Sequence, residues 1–479
     1  MKRVGLAAVA FWAIFGSAAC SSSPAGSNTS TESTDHLFEY RVSDAVARAD
    51  DLASAGLDLL EKRSGNDLFV LGDESVGEQL RALGFEAAIS KTLRTPSWEP
   101  AALPAGTQTH TNRSAALNAL NVLNALNASD VDETYYGGYH TILAHHAHLD
   151  KIASDHPDLA KVVTYGESWR KHQGTGGYDL KAICITKLAD GDCALNPNSP
   201  KPRFFLYTQM HAREITTGDI AWRWIDYLAE GYETDSTVKE LLDTEEMWIV
   251  PLANPDGTEV VQQGGSSPLL QRKNVNDTNE TRACTVPNHG IDLNRNFDSS
   301  WGGSSTSTNT CSQTYLGPNP DSEIEVQATE GLWQQLFPDV RGPNREDASP
   351  EDAKGLIISL HSDASTVMFP WYYTAQVHSS NDATQRAIAT HLGSLTGYAA
   401  GQSGEVLYSS GGNSGDWAYD KLGTSIFTIE VGDDVPSDGL DCGGFLPPYS
   451  CQDAFFWPKM KPALIYAAQK AAAPFKASE

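Results

Sequence analysis

The run Met210-His211-Ala212-Arg213-Glu214 follows directly on the apolar segment RFFLYTQ. A histidine and a glutamate three apart at such a bend offer a ring nitrogen and a carboxylate oxygen that one zinc ion can accept together. The pair needs a third ligand. His361 supplies one at the end of GLIISLH, where a buried parallel strand would bring an imidazole to the same sheet edge. Two histidines and one glutamate, with a fourth position open, form the donor set of a catalytic zinc, which polarises a carbonyl and acidifies water. That water still requires a proton acceptor. Glu430 stands in the apolar run SIFTIEVGDD, where a carboxylate must be paired, metal-adjacent or catalytic to offset its desolvation. Each residue alone also has an ordinary structural reading, as a packed histidine or a salt-bridged strand acid.

These residues need a scaffold that delivers strand ends to one place. Between residues 131 and 475 the apolar runs VVTYG, LKAICIT, RFFLYTQ, MWIVPL, GLIISLH and SIFTIEV alternate with amphipathic stretches such as Ile220 to Leu228 and Glu323 to Leu336. This alternation predicts an α/β domain with a mixed, mostly parallel central sheet flanked by helices, and a ligand site at strand ends. Ahead of it, residues 36–91 read as a small α+β module, with strands LFEYRV, LDLLEKR, LFVLG and FEAAIS and helices SDAVARADDLASAG and SVGEQLRALG. Residues 92–130 read as a Pro-, Thr- and Asn-rich linker ending in a short helix, and 21–35 as a Ser/Thr-rich tether.

The 479 residues carry 34 Lys+Arg against 61 Asp+Glu, a net charge of -27 that argues against nucleic acid and anionic membrane surfaces as partners. Lys2 and Arg3, an apolar stretch from Val4 to Phe15 and small residues up to Cys20 have the layout of a secretory signal over residues 1–20. Small residues before a cysteine resemble a bacterial lipoprotein signal, which would make a lipid on Cys20 the chain's only membrane contact. Ser17 departs from that pattern, and the alternative is an ordinary signal cut near Ala19, with periplasmic or secreted protein. Setting Cys20 aside leaves six cysteines, an even number suited to disulfides in an oxidising compartment. Pairing in order would close three local loops, Cys184 with Cys193, Cys284 with Cys311 and Cys442 with Cys451, although six cysteines allow 15 pairings.

HARE, NPDG (Asn254 to Gly257), LLQRKN (Leu269 to Asn274), DLNRNF (Asp292 to Phe297), SLHS (Ser359 to Ser362) and FTIEV together resemble, in that order, the zinc metallocarboxypeptidases of the carboxypeptidase A type. The resemblance implies one zinc per chain on His211, Glu214 and His361, with Glu430 as general base and acid. It implies that Asn294 and Arg295 grip a substrate's terminal carboxylate, a task suited to a bidentate guanidinium. Arg272 takes the role of oxyanion stabiliser, with Lys273 its nearest rival. Asp292 orients a zinc histidine through its far nitrogen, and Arg213 helps hold substrate. Ungapped counting back from Glu430 makes Tyr408 the tyrosine that closes over substrate, and leaves Tyr419 packed beside Trp417. Two departures stand out. Asp363 replaces a tyrosine common in relatives, and the specificity position is Gly415, which brings no charge and implies a roomy neutral pocket for bulky apolar or aromatic C-terminal residues.

His140, His145, His146, His148 and His156 crowd one segment but face several directions on a helix, so they read as structural. The acids Asp433, Asp434, Asp438 and Asp441 admit calcium only weakly, lacking EF-hand spacing. The leading function is a monomeric zinc exopeptidase acting on the C-termini of peptides or proteins. The alternatives are a cell-wall-directed peptidase or amidase on the same fold, and a non-catalytic surface protein that binds peptide ends. The N-terminal module resembles the pro-segments or accessory domains of such peptidases.

Overall fold

The computed structural model describes residues 36–94, 131–280, 284–363, 365–432 and 440–476. The signal, Cys20, the tether, most of the linker, and Asp433, Asp434 and Asp438 lie outside the described residues. Among the described residues, two sheets and one short hairpin carry the architecture.

The first sheet is antiparallel and has four strands, β1 (His36–Val42), β2 (Asp58–Ser64), β3 (Asp67–Gly72) and β4 (Ala87–Arg94), in the order β2-β3-β1-β4. The helical pattern over SDAVARADDLASAG is realised as a single 3-10 turn at Val46–Arg48 followed by α1 (Ala49–Ser54). Helix α2 (Glu74–Ala82) starts at Asp73, whose side chain accepts from the Ser75 N–H, an N-cap that satisfies a donor the helix cannot. It crosses the sheet where Gly77 meets Tyr40. A Cβ on Gly77 would lie 2.9 Å from that ring, so the close approach requires glycine.

After the hairpin of β5 (Thr134–Tyr135) and β6 (Tyr139–His140) comes α3 (Ile142–Asp155), capped by the Thr141 hydroxyl. The chain then builds an eight-stranded sheet from β7 (Ala160–Glu167), β8 (Asp179–Ile185), β9 (Arg203–Thr208), β10 (Glu246–Val250), β11 (Leu356–His361), β12 (Thr366–Phe369), β13 (Ala399–Gln402) and β14 (Ser425–Glu430). The order is β13-β12-β14-β11-β9-β10-β8-β7. Its centre, β14-β11-β9-β10, is parallel throughout. Every residue of β9, β10, β11 and β14 is buried, which is why these strands read as unbroken apolar runs and not as alternations.

Helices α4 (Ile215–Gly231), α5 (Ser236–Thr244), α6 (Pro255–Gln262), α7 (Ile324–Leu336), α8 (Asp382–Thr396) and α9 (Trp457–Lys470) complete the layers. Ile220, Ala221, Trp224, Ile225 and Leu228 of α4 join Phe204, Leu206, Ile358 and Leu360 of the sheet and Met460, Ala463 and Leu464 of α9 in one core, while Trp333, Leu336, Phe205, Ile357 and Trp417 belong to a second. Burial of each large apolar side chain there contributes roughly 1.5–3 kcal/mol. The three disulfides pair in sequence order, Cys184–Cys193, Cys284–Cys311 and Cys442–Cys451.

Candidate active site

Parallel strands deliver their last residues to one edge. His361 ends β11 and Glu430 ends β14, directly opposite each other in register. Strand β9, the other neighbour of β11, ends at Thr208, and the bend that follows carries His211 and Glu214 before α4 begins. His211, Glu214 and His361 are each no more than 1% exposed. His211 Nδ1 lies 2.7 Å from Glu214 Oε1, His361 Nδ1 lies 3.0 Å from Glu214 Oε2, and the two Nδ1 atoms are 3.1 Å apart.

The far nitrogens are already engaged. His211 Nε2 is 3.1 Å from Asp292 Oδ1, and His361 Nε2 is 3.1 Å from Ser359 Oγ. Both rings therefore turn Nδ1 inward, and two nitrogen lone pairs and a carboxylate converge where at most a proton or two could be shared. A divalent cation satisfies all three, and nitrogen and oxygen donors of this type fit zinc. Among the described residues this is the cluster of three ligand atoms close enough to hold a metal.

The charges around it are arranged to keep roles distinct. Burial opposes ionisation of Asp292, but the Arg272 and His211 charges outweigh it and hold the carboxyl well below the usual carboxylate range. Glu430 is the reverse case. Burial, reinforced by the Glu214 and Glu61 carboxylates, raises it well above the usual range, the direction expected of a carboxyl that exchanges protons near neutrality.

The other expected site residues come from loops. Asp292 also accepts from the Asn294 N–H (3.0 Å), which fixes the turn bearing Asn294 and Arg295. Asn294 Oδ1 accepts from the backbone N–H (3.0 Å) and hydroxyl (3.1 Å) of Ser414, and Arg295 is held by the carbonyls of Ser305 and Asn294. Asn294, Arg295, Tyr408, Gly415 and Glu430 line one cleft with His211. Arg272 donates Nε to Asp292 Oδ2 at 3.1 Å and lies within 4.0 Å of Glu214 Oε1. Lys273 turns away. Its ammonium donates to the Thr310 carbonyl, and burial lowers it to about 7. Of the two, Arg272 is the one directed at the cluster and Lys273 the one directed away from it.

A model of the zinc carboxypeptidase family matches residues 145–452. The chain belongs to the zinc carboxypeptidase family. It is 30% identical over 305 residues to carboxypeptidase A4 of Mus musculus, covering 62% of this chain and 63% of that protein. Carboxypeptidase A2 of Mus musculus is 29% identical over 304 residues, with the same coverage. The chain thus spans 63% of the length of these curated relatives. The crystal structure of carboxypeptidase A from Helicoverpa armigera superposes with a TM-score of 0.65 at 22% identity, covering 92% of this chain and 99% of that one. That of thrombin activatable fibrinolysis inhibitor gives 0.61 at 20% identity, covering 91% and 99%. These two likenesses establish a shared fold.

Three features of the chain were not read from its sequence. Strand β2 of the N-terminal module reaches the cleft: Glu61 Oε1 is 2.6 Å from Arg272 Nη1, and Asp58 accepts two bonds from Arg213 (2.6 and 2.9 Å). Three residues apart on a regular strand, Asp58 and Glu61 would face opposite sides, but the register shifts between Leu59 and Arg63, and Asp58 reaches Arg213 while Glu61 reaches Arg272. A buried glutamate among leucines was the available signal, since such a carboxylate needs a partner. Second, the hydroxyl of Ser359 orients His361, and it stands two residues earlier on the same face of β11. Third, the space expected at Gly415 is taken by the ring of Tyr372, which corrects the roomy pocket while leaving it uncharged.

The discounted residues sit elsewhere. His140 and His148 stack on opposite faces of Trp222 (both 3.7 Å) and pair with Asp219 and Asp226, and Asp441 pairs with Lys91. Tyr419 packs edge-on against Trp371 at 5.1 Å in the same core cluster as Trp417, and its hydroxyl donates to Asn381.

Proposed function

We propose that this chain is a zinc-dependent exopeptidase that hydrolyses the C-terminal peptide bond of peptides or proteins and prefers neutral terminal residues. The reading is carried by one observation. His211 of the three-ligand cluster, Glu430 opposite His361 in register, and the Asn294/Arg295 turn line a single cleft. Zinc held by the three ligands supplies a Lewis acid that polarises the scissile carbonyl and acidifies water. The remaining work falls to side chains. Asn294 and Arg295 bind the free carboxylate and place the last peptide bond in the cleft. Glu430 takes a proton from water as its oxygen attacks the carbonyl carbon, and returns one to the amine nitrogen as the C–N bond breaks. Arg272 stabilises the negative oxygen formed between those steps. Tyr408, buried in the cleft wall, closes over the bound end.

Module 36–91 reads as a pro-segment. Both cations assigned to substrate outside the terminal-carboxylate site, Arg213 and Arg272, are occupied by its acids, and Arg63 donates to the carbonyls of Gly404, Glu405 and Leu407, just ahead of Tyr408. A strand seated this way excludes peptide until it is released. Three disulfides suit an oxidising compartment outside the cytosol. Within that setting the protein acts as a monomer anchored by a lipid on Cys20.

The test is a panel of short peptides, each with a free and an amidated C-terminus, incubated with zinc-loaded full chain before and after limited trypsin digestion and followed by mass spectrometry. Stepwise loss of single residues from free ends only, and only after digestion, is the expected result. Equal cleavage of amidated ends, or cuts inside the peptides, would favour the cell-wall-type peptidase or amidase. No cleavage by digested, zinc-loaded protein would favour a peptide-binding protein.

A further inference from the structure

Glycine at 415 accommodates a ring of the chain's own. A Cβ on Gly415 would stand 2.3 Å from Cε2 and 2.7 Å from Cζ of Tyr372, so a side chain at 415 and the phenol at 372 exclude each other. The ring is fixed at both ends. The backbone N–H groups of Tyr372 and Tyr373 donate to the two oxygens of Asp416 (2.8 and 2.9 Å), and the Tyr372 carbonyl accepts from the Ser410 N–H (2.9 Å). At the far end the hydroxyl accepts from the Thr428 N–H (3.1 Å) and shares its proton between Thr428 Oγ1 (2.9 Å) and the Met368 carbonyl (3.1 Å).

Tyr372, Met368, Leu407, Gly415 and Thr428 line the same cleft as Asn294, Arg295 and Glu430. A terminal carboxylate on Asn294 and Arg295 therefore directs the last side chain toward these five. Met368 and Leu407 make apolar walls, and the phenol, its hydroxyl saturated, offers only carbon to what lies above it. We infer that Tyr372 is the floor of the terminal side-chain pocket and sets its depth for aliphatic side chains, so that the substrate class is peptides ending in leucine-sized residues and not in aromatic ones. The inference rests on the exopeptidase reading. An aromatic end would need the volume that the Tyr372 ring holds, and a ring tied by its backbone and its hydroxyl does not swing aside without losing those bonds.

Two measurements on the zinc-loaded full chain after limited trypsin digestion test this. The first is kcat/KM for two peptides that differ only in ending with Leu or Phe. The second is calorimetric affinity for the matching non-hydrolysable analogues, in which a methylene amine replaces the last peptide bond. The original chain should favour Leu over Phe by about tenfold or more in both. Tyr372→Ala should raise the Phe-to-Leu ratio by about tenfold or more, whereas Tyr372→Phe, which keeps the ring, should hold it within about threefold. Should the alanine variant fail to fold, Tyr372→Leu shortens the floor with less loss of packing and should move the ratio the same way. A folded, zinc-loaded Tyr372→Ala or Tyr372→Leu variant with the original ratio, or an original chain that prefers Phe, would overturn the inference. Binding with the Leu preference but no hydrolysis would remove the exopeptidase reading and leave the floor standing. Hydrolysis with an unmoved ratio would do the opposite.

Discussion

Glu61 Oε1 sits 2.6 Å from Nη1 of Arg272, both side chains almost wholly buried, so a carboxylate of the N-terminal module occupies the cation that the proposed chemistry needs free. Asp58 does the same to Arg213 through two bonds. Removing one partner of a buried ion pair typically costs about 3–5 kcal/mol, so these contacts fasten β2 to the catalytic-domain arginines.

Replacing both acids should therefore unlatch the full chain. Asp58→Ala/Glu61→Ala is expected to raise hydrolysis by undigested protein at least about tenfold, since loss of even one such pair exceeds 1.4 kcal/mol. Activity after trypsin digestion should stay as it is, because neither residue belongs to the catalytic part. An unchanged, low activity of the undigested variant would mean that the module does not restrain the enzyme through these pairs.

How much of this was legible follows from where each signal is written. His361 and Glu430 end unbroken apolar strands, His211 and Glu214 lie in the bend just after another, and both the spacing of HARE and the run FTIEV announce them. The short strands β12 and β13, four residues each, are too brief for a period to register. Asp58 and Glu61 were hidden for another reason: their partners lie 155 and 211 positions away in sequence, and the register of β2 shifts between Leu59 and Arg63. Gly415 misled because an absent side chain reads as space, while the chain fills that space from Tyr372.

Zinc should be bound at one per chain, measured by elemental analysis of the purified full chain. His361→Ala removes a ligand and should leave well under one equivalent. Asp292→Asn keeps all three ligands but changes the group that orients His211, and should weaken zinc binding by about 10–100-fold in a chelator competition. Full zinc retention in His361→Ala would contradict the assignment.

Stability should fall as pH rises toward 8, in part through Glu245. This residue is 5% exposed, its Oε2 has no hydrogen-bond partner, and burial raises its carboxyl to about 8. The folded chain thus keeps a proton that the unfolded chain, with a carboxyl near about 4.3, has released. Linkage makes the contribution full below the unfolded value and progressively lost from there up to the folded value, about 8. Glu245→Gln removes the penalty, so its melting temperature relative to the original chain should rise by about 2 °C or more between pH 5 and pH 8. A difference that does not change with pH would exclude a buried neutral Glu245.

Mass spectrometry of the full-length protein's product, taken from its native compartment, should find no free thiol at Cys184, Cys193, Cys284, Cys311, Cys442 or Cys451, and a lipid on Cys20. Free thiols would contradict the bridges of the fold. An unmodified N-terminus at or near Cys20 would leave a secreted enzyme.

The most direct test of the central claim is Glu430→Gln in the digested, zinc-loaded chain, measured as turnover of a peptide with a free C-terminus alongside zinc content. An amide cannot take the proton from water, while the ligands His211, Glu214 and His361 are untouched. The account predicts one zinc per chain, retained peptide binding and a loss of turnover of about 10²–10⁴-fold. Near-normal turnover with zinc in place would contradict it.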